Sequence, residues 1–281
     1  TLMVQPNSFV TDLVHGVFGI MAPPKSAKTT WGLSAPPVIL HIDADRGLER
    51  AAPRLMQQGL TIKQLPANKV PTYDDMKGAD IISIPYEMPL TWPGQKLTGY
   101  VQLTANLSTT VQMACQADWI KTVFYDTGTV VWPWLHSATL EQKQIKNASR
   151  ESLLPVEYAE PNAIQKSLYS NPRSLGKNVI VAHHIRQIRD DTTMQVIGET
   201  WDGWNRMEQS VDVFASFRLG VPVIPGVVGN TKLQPIAKIV RCGWSLECEG
   251  LDVPDFSFQG MLDFINATRM SNSLNGATNA L

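Results

Sequence analysis

Residues 17–45 read VFGIMAPPKSAKTTWGLSAPPVILHIDAD. The short apolar run Val17–Met21, bounded by turn-forming residues, predicts a buried strand. Ala22, Pro23, Pro24, Lys25, Ser26 and Ala27 then form a loop that leads into Lys28, Thr29 and Thr30 at the start of a helix. A second apolar run, Val38–Ile42, predicts another strand, which ends in Asp43-Ala44-Asp45. Strand, loop, helix, strand and acid in this order make a nucleotide-binding βαβ unit. The loop follows the phosphate-binding pattern G-x-x-x-x-G-K-[ST], with alanine at both glycine positions, Ala22 and Ala27.

Such a loop works through its backbone. Successive N–H groups turn inward around phosphate oxygens, and the following helix adds its positive end. Lys28 is expected to reach the β- and γ-phosphates of ATP, and the Thr29 hydroxyl to bind Mg²⁺. Lys25 adds a further positive charge, either near the phosphates or in solvent. Ala22 is tolerable at the first glycine position. Ala27, directly before the lysine, carries a Cβ where glycine allows close phosphate approach and unusual backbone angles. The competing reading is an ordinary helix that happens to begin Lys-Thr-Thr.

The chain has 281 residues, 43% hydrophobic and 17% charged, which suits a large folded α/β unit rather than a disordered chain. Its formal net charge of −1 means that any nucleic-acid contact must come from a local patch. Cys115, Cys242 and Cys248 form neither a disulfide framework nor a CxxC pair, which fits a reducing cytoplasm. No apolar run reaches membrane-spanning length, and the first residues lack the pattern of a signal peptide.

Outward from the βαβ unit, residues 1–15 read as a polar lead-in with a short helix near Val10–Val14. Leu48, Ala51, Ala52, Leu55 and Met56 have helical spacing, and Gly59 is their stop. Residues 60–98, rich in proline and turns, read as an insertion without chemistry, although Ile81–Ile84 has strand character. A helix is expected over 100–118. The apolar strand that follows ends in Asp126-Thr127, a Walker B layout in which Asp126 would hold Mg²⁺ beside the phosphate loop. A helix over Ile164–Leu175, stopped by Gly176, precedes the strand Asn178–Ala182, which ends in His183-His184. Val211–Leu219 and Ile236–Val240 read as late strands. Residues 251–281 read as a C-terminal extension, mobile over its last fifteen residues. No internal repeat is present.

The order of these blocks resembles the RecA-like recombinase core, and most closely its small phage-encoded members that act as single-strand annealing ATPases. The resemblance spans roughly residues 15–245. It implies an α/β fold: a RecA-like P-loop NTPase core over 16–250, with a mostly parallel central sheet flanked by helices. In such proteins an acid after the second strand activates the attacking water, and Asp45 takes that position. A polar sensor of the γ-phosphate ends a later strand, and His184 falls there. The chain departs from RecA in having no recognisable N-terminal oligomerisation domain, no sizeable C-terminal domain and no P-loop glycines.

The resemblance also implies single-stranded DNA as partner, a homo-oligomeric ring or filament with nucleotide between subunits, and cooperation with a single-strand-binding protein. The location would be the cytoplasm, that of the host for a phage protein. The corresponding DNA loops would be 132–150 and 186–206. They carry Trp134, Lys143, Lys146, Arg150, Arg186, Arg189, Trp201, Trp204 and Arg206, rings for stacking on bases and cations for phosphates. Alternatives stay open at several of these positions. The tryptophans equally suit a core or a subunit interface. Asp45 equally suits a helix N-cap. His183 and His184 read either as a metal pair or as one buried, hydrogen-bonded histidine, although neighbours on a strand face opposite ways. Three functions remain: an annealing ATPase, another RecA-fold motor or regulatory NTPase of phage replication or packaging, and a degenerate scaffold that turns over little ATP.

Overall fold

The computed structural model of the chain describes residues 15–92, 94–220 and 233–278. In chain order the elements are β1 (Val17–Ala22), α1 (Lys28–Gly32), β2 (Ile39–Asp43), α2 (Leu48–Gln57), β3 (Ile62–Gln64), β4 (Ile81–Pro85), α3 (Tyr100–Gln116), β5 (Thr122–Asp126), α4 (Gly128–Lys146), α5 (Ala159–Ser174), β6 (Asn178–Arg189), β7 (Val196–Trp201), β8 (Val213–Gly220), β9 (Gln234–Cys242), β10 (Asp252–Val253) and α6 (Phe258–Thr278). Gly59 and Gly176, the expected helix stops, have φ of 84° and 72°, a left-handed turn that glycine adopts without steric cost. The lead-in and its short helix near Val10–Val14 lie outside the described residues.

The strands form one sheet in the order β10-β9-β8-β1-β6-β5-β2-β4-β3, with β7 paired to the outer half of β6. Pairing is parallel from β8 to β3, while β9 and β10 at the other edge are antiparallel, as is β7. The strand that enters the phosphate loop, β1, and the strand that ends in Asp126, β5, are separated by β6. This is the α/β, RecA-like core expected from the sequence.

Alternation along the buried strands separates two apolar layers. Leu40, Ile82, Val123 and Val179 pack beneath α3, α4 and α5 on one face. Ile39, Ile81, Phe124 and Ile180 pack against α1, α2 and α6 on the other. Each layer excludes water from one side of the sheet, so the strand ends are held rigidly where the site is built.

Two expectations need correction. Residues 60–98 are not a separate insertion: they supply β3 and β4, and all five residues of β4 are buried beside β2. The strand read at Ile81–Ile84 is thus a buried part of the central sheet rather than of an insertion. Residues 132–150 are not a loop, because α4 runs through Lys146. Its Pro133 sits inside the helix, in the second turn, where it forgoes one backbone hydrogen bond, and Thr127 caps the helix by accepting the Thr129 N–H at 2.9 Å. Within the expected C-terminal extension, Phe258, Met261, Leu262 and Ile265 of α6 form an apolar stripe at helical spacing and pack into the core, while residues 279–281 lie outside the described residues.

Candidate active site

Register brings the chemistry-bearing residues to one edge of the sheet. Ala22 on β1 is level with His184 on β6, Asp43 on β2 with Asp126 on β5, and Asp126 with Ala182. The strands are parallel, so these are all carboxyl ends, where open α/β sheets hold their ligands. A cavity of about 480 Å³ opens there. Pro24, Lys25, Ser26, Ala27, Lys28, Thr29 and Thr30 line one wall, and Asp45, Gly47, Arg50, Asp126 and His184 line the other.

The phosphate loop is built from its own contacts. Ala22 is fully buried at the end of β1, so a methyl group fits at the first glycine position. Pro23, Pro24 and Lys25 are exposed. Ser26 Oγ donates to the Pro23 carbonyl at 2.6 Å and closes the loop. Ala27 adopts φ 65° and ψ 22°, the left-handed region that glycine tolerates and a Cβ resists. Lys25 shares this region at φ 63°. Lys28 lies under the loop, its Nζ donating to the carbonyls of Ala22 and Pro23, each at 3.2 Å. Burial pushes its ammonium below the ordinary lysine value, against the pull of Asp126 and Asp45.

Thr29 Oγ1 donates to Asp126 Oδ2 at 2.5 Å. Asp126 is buried, and burial alone would raise its carboxyl. His41 and the Thr29 hydroxyl, with Lys28 further off, outweigh that and hold it below the usual carboxylate range. A hydroxyl and a carboxylate are the hard oxygen donors that Mg²⁺ takes. The space beside them is kept open by Gly47, where a Cβ would lie 2.4 Å from both Asp126 Oδ2 and Thr29 Oγ1. The residues present therefore fit a divalent cation at this pair.

Asp45 and His184 come together on that second wall, with His184 Nε2 3.9 Å from Asp45 Oδ2 and an Arg50 guanidinium nitrogen 3.8 Å from that same oxygen. Asp45 does not cap α2. Asp43 does so, accepting the N–H groups of Gly47 at 2.8 Å and Leu48 at 3.3 Å. Burial pushes the Asp43 carboxyl above its ordinary value, opposed by His41 and those two N–H groups. His183 and His184 do not share a ligand position. His183 is buried, its Nδ1 2.9 Å from the Asp202 carbonyl, and burial holds it down at about 4. The metal-ligand cluster among the described residues lies elsewhere, at His41, Asp43 and Asp126.

The DNA candidates divide. Trp134 and Trp204 are buried, at 1% and 2% exposure, so as stacking platforms they are corrected to core residues. Trp204 also donates its indole N–H to Asn162 Oδ1 at 2.7 Å. Trp201 is half-buried, edge-on to Phe214 and donating to the Trp204 carbonyl at 2.9 Å. On α4, Lys143 is half-buried in the last turn and Lys146 is exposed, while Arg150 pairs with Glu157. Arg186 and Arg189 are exposed on the β6–β7 hairpin, which continues directly from His184. Arg206 is exposed on a cavity of about 680 Å³ between α5 and residues 204–210.

Sequence reasoning gave no role to His41, Asp43, Gly47, Arg50 or Thr129. Thr129 Oγ1 accepts the His184 N–H and donates to the Asp202 carbonyl, each at 2.9 Å, tying α4 to β6 and to the end of the hairpin. His41, a polar residue inside an apolar strand run, was the available signal for a special site.

No family model and no curated protein matches the chain. Among solved structures it is similar to a RadB recombinase, with 15% identity, a TM-score of 0.42 and coverage of 85% of each chain. It is also similar to the KaiC-like protein PH0186 of Pyrococcus horikoshii OT3, with 10% identity, a TM-score of 0.38 and coverage of 81% of this chain and 79% of that one. Strand order and register, not these likenesses, carry the assignment of the fold.

Proposed function

We propose that the chain is an ATP-binding and hydrolysing protein that binds single-stranded DNA and promotes annealing or strand exchange in phage recombination. The observation that carries the nucleotide part is the contact of Thr29 with Asp126 at 2.5 Å, directly beneath a loop that holds Lys28. In this reading Lys28 leaves the two loop carbonyls and turns to the β- and γ-phosphates. Thr29 and Asp126 hold Mg²⁺, which when bound neutralises charge on the phosphate oxygens. Asp45, exposed at the cavity wall, orients the attacking water, and His184 contacts the γ-phosphate.

The DNA part is supported by continuity of chain. His184 and the exposed Arg186 and Arg189 lie on one strand, so a change at the γ-phosphate would act on the hairpin through β6. Arg206 and Lys146 are further exposed cations. The chain would act as a homo-oligomeric ring or filament, with a single-strand-binding protein, in the cytoplasm of the host. No helix among the described residues is long and apolar enough to cross a membrane.

One observation favours a second reading. Ala27 is strained where the loop pattern has glycine, which would suit a scaffold that binds DNA or protein and turns over little ATP. Annealing of bare complementary strands in the presence of ATP tests the first reading. Annealing abolished by Lys28→Ala supports it. Displacement of a forked duplex without annealing would point to a ring motor, and DNA binding without any ATP turnover to the scaffold.

A further inference from the structure

We propose that His41, Asp43 and Asp126 form a buried divalent-cation site beneath the phosphate loop, one that takes Mn²⁺ or a similar transition metal in preference to Mg²⁺ and does so without nucleotide. The inference goes beyond the nucleotide reading and does not require that ATP be hydrolysed.

One ligand atom from each of the three residues lies within 4.8 Å of the others, and all three residues are buried. Asp43 and Asp126 are register partners at the ends of adjacent strands, so two carboxylates stand side by side out of water. Burying two like charges is costly unless a cation compensates them. Lys28 is spent on the loop carbonyls instead. Asp43 uses its oxygens on two backbone N–H groups, but each carboxylate oxygen keeps a further lone pair.

His41 points to a ligand independently. It is fully buried, and among the described residues its Nε2 has no hydrogen-bond partner, although it lies 3.6 Å from Asp126 Oδ2. The other ring nitrogen, Nδ1, is 3.0 Å from Ser83 Oγ, and the ring stacks on Phe124 with centroids 5.0 Å apart. A histidine held at one nitrogen, with the other left free toward carboxylates, is the arrangement found around metal-bound imidazoles. Imidazole in the ligand set selects for transition metals, whereas Mg²⁺ favours oxygen alone. Access exists from both sides: Asp126 lines the nucleotide cavity, and Asp43 lines a neighbouring cavity of about 430 Å³.

The test is Mn²⁺ titration of chelator-stripped, nucleotide-free full chain, read by loss of the free Mn²⁺ paramagnetic resonance signal, with Mg²⁺ as competitor. The expected result is one Mn²⁺ per chain, displaced poorly by Mg²⁺. His41→Gln should weaken binding at least about tenfold, and Ser83→Ala, which loosens the ring, should weaken it less. Should His41→Gln fail to fold, Ser83→Ala alone decides. Lys28→Ala should still take up Mn²⁺, which separates this site from the nucleotide reading: uptake without ATP turnover keeps the one and removes the other. Uptake that requires nucleotide, equal competition by Mg²⁺, or affinity that neither variant weakens overturns the proposal.

Discussion

Thr29 and Asp126, separated by 97 positions in the chain, meet at 2.5 Å because β1 and β5 end at the same edge of the sheet. The room around that pair depends on Gly47, the first residue bonded by the Asp43 carboxylate. A methyl group there would collide with both partners at 2.4 Å. Overpacking of this kind costs about 1–3 kcal/mol. Gly47→Ala should therefore weaken Mg²⁺-nucleotide binding by roughly 5- to 150-fold. Nucleotide titration by calorimetry checks this, and circular dichroism should show an intact fold.

Ala27 leads to the opposite expectation. At φ 65° its Cβ opposes the backbone, a cost of about 1–2 kcal/mol that glycine avoids, less about 0.5–1 kcal/mol for glycine's greater chain entropy. Ala27→Gly should raise Tm by about 1–3 °C. If the scaffold reading holds, the same variant should raise ATP hydrolysis sharply. If wild type already turns over well and glycine adds nothing, that reading fails.

How far the sequence carries the site follows from these two residues. Short apolar runs, ending in a turn at β1 and in polar or acidic residues at β2, β5 and β6, made these strands readable, and with them Lys28, Thr29, Asp45, Asp126 and His184, which the structure gathers in one cavity wall or another. Gly47 and His41 were not readable in the same way, because their meaning lies in what stands across the sheet: Asp126 in both cases. Tryptophan is equally suited to a core and to a base, so Trp134 and Trp204 required knowledge of which helix face and which hairpin base they occupied. The strand β4 was legible as the apolar run Ile81–Ile84, but its place in the core sheet was not, because the proline-rich turns around it read as an insertion.

The arginines and tryptophans should separate in experiment. Arg186 and Arg189 are exposed, so replacing both by alanine should leave Tm nearly unchanged. Affinity for single-stranded DNA should fall, and its salt dependence should flatten by about 0.7 for each phosphate no longer neutralised. Trp204→Ala instead removes a buried ring and should cost about 3–5 kcal/mol of stability. Denaturant unfolding together with fluorescence anisotropy at several salt concentrations reads both.

His183 should make the fold sensitive to acid. Its imidazole is held at about 4, against an ordinary value of 6.5. Between those values the unfolded chain binds a proton that the folded chain refuses, so stability rises with pH across this window and is lost as pH falls through it. The full difference is about 3 kcal/mol. Urea midpoints measured from about pH 7.5 down to about pH 4.5 should fall for wild type and fall less steeply for His183→Asn.

The most direct measurement is ATP hydrolysis with and without single-stranded DNA, comparing wild type with Lys28→Ala. The account predicts turnover that DNA stimulates and that drops by at least about 10²-fold in the variant, by analogy with losing a charge-stabilising donor. Turnover that survives in Lys28→Ala, or a folded wild-type protein that binds DNA and never hydrolyses ATP, would contradict it.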